Sequence, residues 1–551
     1  MTHYIFITFA PIQSFIEKSR KLRDLYGASL ILSYLSQQLI EAAEGENAKV
    51  ISPGCPNIKK GMPNRILLIG DFSETDAENV LIAAWSQVLE RCRTWLEEAT
   101  QEFRPGKYTY TWKSEWDKWK CKTWEVFWGT GDSPEEARKD LENRKLARQW
   151  TAINWIGESS SISGADAIAY PQMADDGIKI DRRNGKKFPK IDPVLIQEFY
   201  HDLAQMFDTH RSEWKSQTEN AEVEGKFIAD NERLSIPELV KRLITYSSVA
   251  KTLGIETPQK FGDIIRRASN TGEDIDGHWT GWFMGDGDKM GDVLQSISKK
   301  RGDDGIREFS EIVRRWGVDF QNYFPTKIGR VIYAGGDDFL GVLYSCKPQE
   351  PIAPRQAYEW LFELHQKWDK LRQDVETKYG ENLTVSVGLV WVAPGVPQRD
   401  VLQHCREAEK RSKSLGRDRV TIRVVFNNGQ YVQWTTPWKY LNILERYRDL
   451  EGVNNWTHIY QDLAYLKSRH AMGFGIDNLD AIENKNKILD YRNSALEFFE
   501  VYFGEGKEEI KNNVNTIFKY PENHPQKEIE ISKVIVAWIE DLISVGWYLF
   551  R

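Results

Sequence analysis

Cysteine is scarce in this chain, with Cys55, Cys92, Cys121, Cys346 and Cys405 making an odd set of five and no Cys-x-x-Cys pair. A chain of 551 residues needs no disulfides to fold, so the thiols are expected to be reduced and structural. Long apolar runs are missing too. No stretch approaches the roughly 18 residues that a bilayer span needs, and the most apolar tail, Val534 to Phe550, carries Glu540 and Asp541 in its middle. An integral membrane protein is thereby excluded, and no membrane partner is expected. The opening Met1-Thr2-His3-Tyr4 has no basic segment, and its apolar run stops at Pro11, so no signal peptide is read and a cytoplasmic location is expected. Positive charge is not in excess: 74 Lys and Arg against 81 Asp and Glu leave a net charge of −7. The whole surface does not attract polyanions, and any nucleic acid must meet local basic patches or arrive with partners.

What is present is ample core material. Hydrophobic residues make up 41% and charged residues 28%, which excludes disorder as the main state, and the length predicts roughly three to four domains. His3 to Ala10 alternates aromatic and β-branched residues up to Pro11 and predicts a strand. Ile12 to Leu39 has helical spacing (Phe15, Leu22, Leu25, Tyr26, Leu30), with Lys18, Arg20, Lys21 and Arg23 on a face that reads as solvated. Arg65 to Ile69 is a strand, Glu78 to Ala99 a helix and Thr123 to Trp128 a strand. This order is near a ferredoxin-like split βαβ module.

A charged helix over Ser133 to Trp150 and a Ser/Gly-rich loop over Gly157 to Gly164 open a mostly helical connector. It contains the basic stretch Arg182-Arg183-Asn184-Gly185-Lys186-Lys187 and a helix from Ile236 to Leu243. A second module starts at Gly281. Its pattern is a strand running into Gly285-Asp286-Gly287-Asp288, a helix over Gly305 to Phe324, a hairpin over Arg330 to Tyr344, a helix to Tyr379, and then strand, helix and strand to Phe426. After Gly429 the periodicity is helical. The fold class read from these patterns is α+β, with two ferredoxin-like palm domains (1–132 and 271–429), a helical connector (133–270) and a C-terminal helical bundle (430–551). Two modules of related order fit an internal duplication, without a residue-level repeat to establish it.

The chemistry concentrates in Tyr333-Ala334-Gly335-Gly336-Asp337-Asp338-Phe339-Leu340. Two glycines permit a tight turn and let a phosphate approach bare backbone, while adjacent carboxylates between apolar strands call for a cation. Taken alone, the segment fits an ordinary surface turn as well. Asp286 and Asp288, at the end of the module's first strand, change the balance, because that strand neighbours the central hairpin in a ferredoxin-like sheet. Carboxylates at matched strand ends, with oxygen ligands only, are the arrangement with which palm-type nucleotidyl transferases hold Mg²⁺ or Mn²⁺. Gly285 to Gly291 is not a dinucleotide-binding loop, since its spacing is G-x-G-x-x-x-G and its acids would repel a pyrophosphate. Arg411, Lys413, Arg417 and Arg419 offer charge for a triphosphate, although the helix dipole favours bases at that helix end equally well. His201-Asp202 carries the dipeptide of metal-dependent phosphohydrolases without its further ligands and reads as surface helix, and the 21 tryptophans read as core.

Together these residues resemble a known family. Gly285-Asp286-Gly287-Asp288-Lys289-Met290-Gly291 with Tyr333 to Asp338 is similar to the cyclase palm of the large, Cmr-type subunit of type III CRISPR effector complexes. Pro11 to Ile16, Arg20 to Tyr26 and Met62-Pro63-Asn64-Arg65 resemble that family's first palm, and Glu232-Arg233-Leu234 with Val240-Lys241-Arg242 its connector, so the likeness spans roughly residues 1 to 430. It implies a subunit of a crRNA-guided complex that turns ATP into cyclic oligoadenylate once target RNA binds, with other effector subunits, crRNA and target RNA as partners. By position, Asp286, Asp337 and Asp338 would be catalytic metal ligands joined by Asp288. Gly287, Gly335, Gly336, Lys413 and Arg417 would hold the nucleotide. The first palm, lacking the acids and the Gly-Gly-Asp-Asp turn, is expected to be non-catalytic. Two departures are read: the chain starts at the palm strand, so no HD-type DNase activity is expected, and the family's cysteine zinc site between the palms has no counterpart, so no zinc is expected. A catalytically silent nucleotide-binding scaffold of the same complex and a GGDEF-like dinucleotide cyclase using GTP remain as alternatives.

Overall fold

The computed structural model describes residues 3–55, 61–147, 153, 155, 158–173, 178–180, 183, 185, 187–189, 192–215, 226–257, 277–345, 350–475, 485–512, 517 and 527–550. Gly157, Arg182, Asn184, Lys186, Cys346 and the end of the connector at 258–276 lie outside the described residues. The chain divides into two compact units. One comprises Met1–Ile264, Leu294–Tyr323 and Ile332–Gly336; the other comprises Ile265–Val293, Phe324–Val331 and Asp337–Arg551. The linear domain limits read from the sequence therefore do not coincide with the compact units. Among the described residues no helix is long and apolar enough to cross a membrane.

In the first unit the alternating run at the start forms β1 (Tyr4–Ala10), and Pro11, with no N–H to continue a ladder, ends it. With β2 (Lys49–Ser52), β3 (Ile66–Ile69) and β4 (Glu125–Gly131) it makes an antiparallel sheet of order β2-β3-β1-β4, the ferredoxin-like arrangement. Strand β2 was not legible in the sequence: it has four residues, of which only Val50 and Ile51 are apolar, too few for a period-2 signal. Helices Leu22–Gly45 and Glu74–Phe103 contribute Leu35 and Trp85 to the core, where Phe9, Phe15, Trp85 and Trp124 meet largely edge to face. Ile51 and Leu67 pack instead on Ile306 of helix Met290–Asn322. The Tyr4 hydroxyl donates to Asp303 at 2.9 Å, and the Gly54 N–H reaches Ser310 Oγ at 2.6 Å. These contacts explain why Leu294–Tyr323 belongs to the first unit although its sequence lies within the second module.

The connector holds helix Pro134–Leu146, a hairpin of β5 (Ile178–Ile180) and β6 (Lys187–Pro189), and helices Pro193–Lys215, Ile236–Leu243 and Ser247–Thr252. Ser235 and Glu238 form a capping box that starts the helix over Ile236–Leu243, and every residue of that helix is buried. Burying its polar face requires partners. The Arg242 guanidinium donates to Asp24 at 2.9 and 3.0 Å and to Glu232 at 2.6 Å, while the Lys241 ammonium donates to the carbonyl oxygens of Phe15 and Lys18.

The second unit is built on a six-stranded sheet that also takes in β8: β7 (Thr280–Gly287), β8 (Gly329–Ala334), β9 (Phe339–Leu343), β10 (Val385–Val392), β11 (Arg419–Val425) and β12 (Tyr431–Pro437), in the order β12-β11-β10-β7-β9-β8. The four strands β10-β7-β9-β8 repeat the ferredoxin-like order; β11 joins β10 in parallel after helix Gln398–Ser414, and β12 closes on β11 in antiparallel. Tyr431–Pro437 corrects the expectation of helix from residue 430 onward. Its TyrValGlnTrpThrThr run is strand-prone, and it follows β11 through the Asn427–Gln430 turn. Helices Trp456–Ser468, Lys485–Phe503 and Lys527–Phe550 then form the tail, with Trp538 Nε1 donating to the Thr435 carbonyl at 3.0 Å. The α+β class and the helical character of most of the tail are as expected.

The buried ion cluster sets a prediction. Replacing Arg242 with Met leaves Asp24 and Glu232 buried without their cation and should cost about 3–5 kcal/mol in urea denaturation. Burial pushes the Asp24 carboxyl up, but Arg242 and the N–H groups of Lys21 and Arg20 outweigh it and hold it at about 2, below the ordinary 3.8. A depressed carboxylate stabilises the fold above its unfolded pKa. This contribution, about 2 kcal/mol, should be complete above pH 4 and disappear as pH falls toward 2, a dependence that acid titration of Arg242→Met should lack.

Candidate active site

The site begins with β7, which is hydrogen-bonded along both edges, to β10 and to β9. Its register with β9 is set by a reciprocal pair: Gly285 lies opposite Phe339 and Phe283 opposite Gly341. A Cβ on Gly285 would stand 2.3 Å from the Phe339 ring, and one on Gly341 2.1 Å from the Phe283 ring. Each ring covers the other strand's bare backbone, and a one-residue slip would drive both rings into side chains.

The paired register with β9 ends at Gly285–Phe339. Beyond it the Gly287 N–H donates to the Asp337 carbonyl at 3.1 Å, which keeps the end of β7 beside the segment that leads into β9. Asp286, Asp337 and Asp338 are each partly exposed at the strand ends, whereas Gly287 is buried.

A cation reaches this edge from helix Gln398–Ser414. Ser412 Oγ donates to the Val387 carbonyl at 2.9 Å and pins the last helical turn on β10. The adjacent Lys413 ammonium pairs with the Asp286 carboxylate and with Glu409 at 2.7 Å. Burial alone would lower the Lys413 pKa, but the two carboxylates outweigh it and raise it, so the side chain is firmly cationic. Glu409 is pushed up, chiefly by burial, with Lys413 opposing the shift. Glu409 was not singled out from the sequence, although its i−4 spacing from Lys413 carries that signal.

The remaining expected site residues separate. Asp288 is buried, and its carboxylate accepts from Thr384 Oγ1 at 2.8 Å, Ser386 Oγ at 2.7 Å and the Asp418 N–H at 2.9 Å. Arg417 sits in the turn after the helix with φ 67°, half-buried. Arg411 donates to Thr435 Oγ1, and Arg419 is buried with its guanidinium on the carbonyls of Arg417 and Ile517. Lys413 is the base that forms an ion pair with Asp286. Gly335 and Gly336 belong to the first compact unit, where the buried Arg314 reaches the carbonyls of Gly61 and Gly335 and Gly336 has φ 145°. Asp202 is not on the surface as expected: it is buried and accepts from Arg104 at 3.2 Å, Lys107 at 2.8 Å and Tyr108 at 2.7 Å, an anchoring role.

Among the described residues no group of three or more His, Cys, Asp or Glu side chains is arranged to hold a metal ion. The acids present still suit one class of ion. Mg²⁺ and Mn²⁺ are hard cations that take one or two carboxylates and complete their shells with water and substrate phosphates, so a full protein cage is not required. The carboxylates that could serve are Asp286, Asp337 and Asp338.

A ferredoxin-like sheet with acids at the end of its first strand and after a Gly-Gly turn defines a palm-domain protein. Residues 280–421 match the family model of the Cas10/Cmr2 second palm domain, and residues 4–103 match that of the N-terminal domain of the CRISPR-associated protein Cmr2. The resemblance read from the sequence is borne out over these two segments. No curated protein matches the chain. Similar solved structures include an apo Csm1-Csm4 cassette, at TM-score 0.46 and 13% identity, covering 100% of this chain and 70% of that one. Csm1-Csm4 cassettes in complex with cA4 and with AMPPNP also align, both at TM-score 0.39, with 14% and 15% identity and the same coverage of each chain.

Gly287 offers a test of the strand-end geometry. A Cβ there would stand 2.9 Å from Asp337 Cβ and 3.3 Å from the Met290 side chain. Gly287→Ala should cost about 1–3 kcal/mol, read as a lowered thermal midpoint.

Proposed function

We propose that this chain is the large subunit of a crRNA-guided type III CRISPR effector complex and makes cyclic oligoadenylate from ATP when target RNA binds. The observation that carries the reading is the Gly287–Asp337 hydrogen bond, which holds the end of β7, with Asp286, beside the Asp337–Asp338 segment inside a stretch matching the Cas10/Cmr2 second palm. Other effector subunits, crRNA and target RNA are its partners in this reading, and the first palm contributes shape without chemistry.

The roles follow from the chemistry of the side chains. Asp286, Asp337 and Asp338 would hold Mg²⁺ or Mn²⁺ together with the nucleotide's phosphate oxygens. When bound, the ion lowers the pKa of the attacking 3′-hydroxyl and stabilises charge on the leaving pyrophosphate. Gly287 keeps side-chain bulk away from the phosphates. Lys413 exchanges its hold on Asp286 for the triphosphate while Glu409 retains the other side of the ammonium, and Arg417 adds charge from the following turn.

A second reading has an observation of its own. The Lys413–Asp286 pair neutralises one carboxylate of the site without any ion, as would suit a nucleotide-binding scaffold that does no chemistry. Turnover separates the two. Labelled ATP, and separately GTP, would be given with Mg²⁺ or Mn²⁺ to the protein co-expressed with its neighbouring subunits and guide RNA, with and without matching target RNA. Target-dependent oligoadenylate is expected, falling at least about a hundredfold in Asp337→Ala/Asp338→Ala. Bound nucleotide without product would establish the scaffold, and product from GTP instead of ATP would establish a GGDEF-like cyclase.

A further inference from the structure

Asp288 stands two residues after Asp286, yet its carboxylate is spent inside the protein. It is 3% exposed, and its oxygens accept three hydrogen bonds, from the hydroxyls of Thr384 and Ser386 and from the Asp418 backbone N–H. Its own N–H donates to the Thr384 carbonyl at 2.8 Å. One side chain thus joins the end of β7, the start of β10 and the turn that links helix Gln398–Ser414 to β11.

That turn needs holding. Arg417 and Asp418 have φ of 67° and 51°, two successive non-glycine residues in the left-handed region. Such residues cost on the order of 1–3 kcal/mol each and persist where their surroundings fix them. The Arg417 N–H is fixed by the Ser412 carbonyl at 3.1 Å, and the Asp418 N–H is fixed by Asp288. Lys413 lies in the last helical turn before this bend, and Arg417 is in it. Three donors take three of the roughly four acceptor positions of this carboxylate, and the group is buried, whereas Asp286, Asp337 and Asp338 are partly exposed.

We propose that Asp288 is a positioning residue and no metal ligand: it fastens the acidic end of β7 to the basic turn, and so sets Lys413 and Arg417 for the phosphates of the nucleotide. The proposal rests on the nucleotide-binding reading above and assigns the phosphate side of that same site. Asparagine distinguishes the two roles. Its oxygen can keep the bonds from Asp418 N–H and Thr384, while its amide donates to Ser386, whose hydroxyl accepts as readily as it donates. As a clamp, Asp288→Asn should therefore work; as a metal ligand, the loss of charge should be as damaging as at Asp337.

The test is equilibrium binding of a non-hydrolysable ATP analogue with Mn²⁺ to the assembled, RNA-guided complex, together with ATP KM and kcat. Asp288→Ala should weaken analogue binding about 10–100-fold and raise KM more than it lowers kcat, and Asp288→Asn should restore both to within about threefold. Unchanged binding in Asp288→Ala, or an Asp288→Asn variant as impaired as Asp337→Asn, would overturn the proposal while leaving the nucleotide site standing. Should Asp288→Ala not assemble, the comparison of Asp288→Asn with Asp337→Asn decides alone. A wild-type complex that binds no analogue would overturn the nucleotide reading and this inference with it.

Discussion

The packing of Phe283 over Gly341 and of Phe339 over Gly285 sets the register on which the rest of the site depends. In a strand bonded on both edges, register is all or nothing, because a slip of one residue turns every side chain to the other face. The reciprocal rings make that slip sterically forbidden, and the acids at the strand ends inherit their alignment from it. No carboxylate needs to find another by its own attraction, which two negative charges could not supply.

Charge balance is then met from the opposite end of the sheet's βαβ crossover. Ser412 sets the final helical turn, Lys413 neutralises Asp286, and Asp288 fastens the bend that follows. The same logic governs the first unit, where Arg242 stands between two buried acids, but there the cluster joins packed elements and faces no open edge. Buried charge therefore has two uses in this chain. In one it ties the connector to helix Leu22–Gly45; in the other it fastens the turn after helix Gln398–Ser414 to the end of β7.

Much of this was legible beforehand. An alternating run up to Pro11, a strand running into Gly285-Asp286-Gly287-Asp288 and helical spacing between strands led to two ferredoxin-like modules, and four strands of each sheet have that order. The strands that escaped notice were β2, too short to show a period, and β12, which lies beyond the four strands of the second palm. At the site, the paired acids and the Gly-Gly turn were visible because chemistry demanded residue types at strand ends. Glu409, Thr384 and Ser386 were not, since each acts through a partner far away in sequence or on a helix face with many equivalent charges.

The sequence by itself determined the modules, the position of the Gly-Gly-Asp-Asp turn and the absence of an excess of positive charge. Those properties are local in the chain or additive over it. Only the tertiary structure decided that the end of β7 lies beside Asp337, that Lys413 meets Asp286, and that Asp288 is taken up by Thr384, Ser386 and Asp418. A carboxylate has the same formula at either position. Its role follows from which donors the folded chain places around it, and those lie about a hundred residues away.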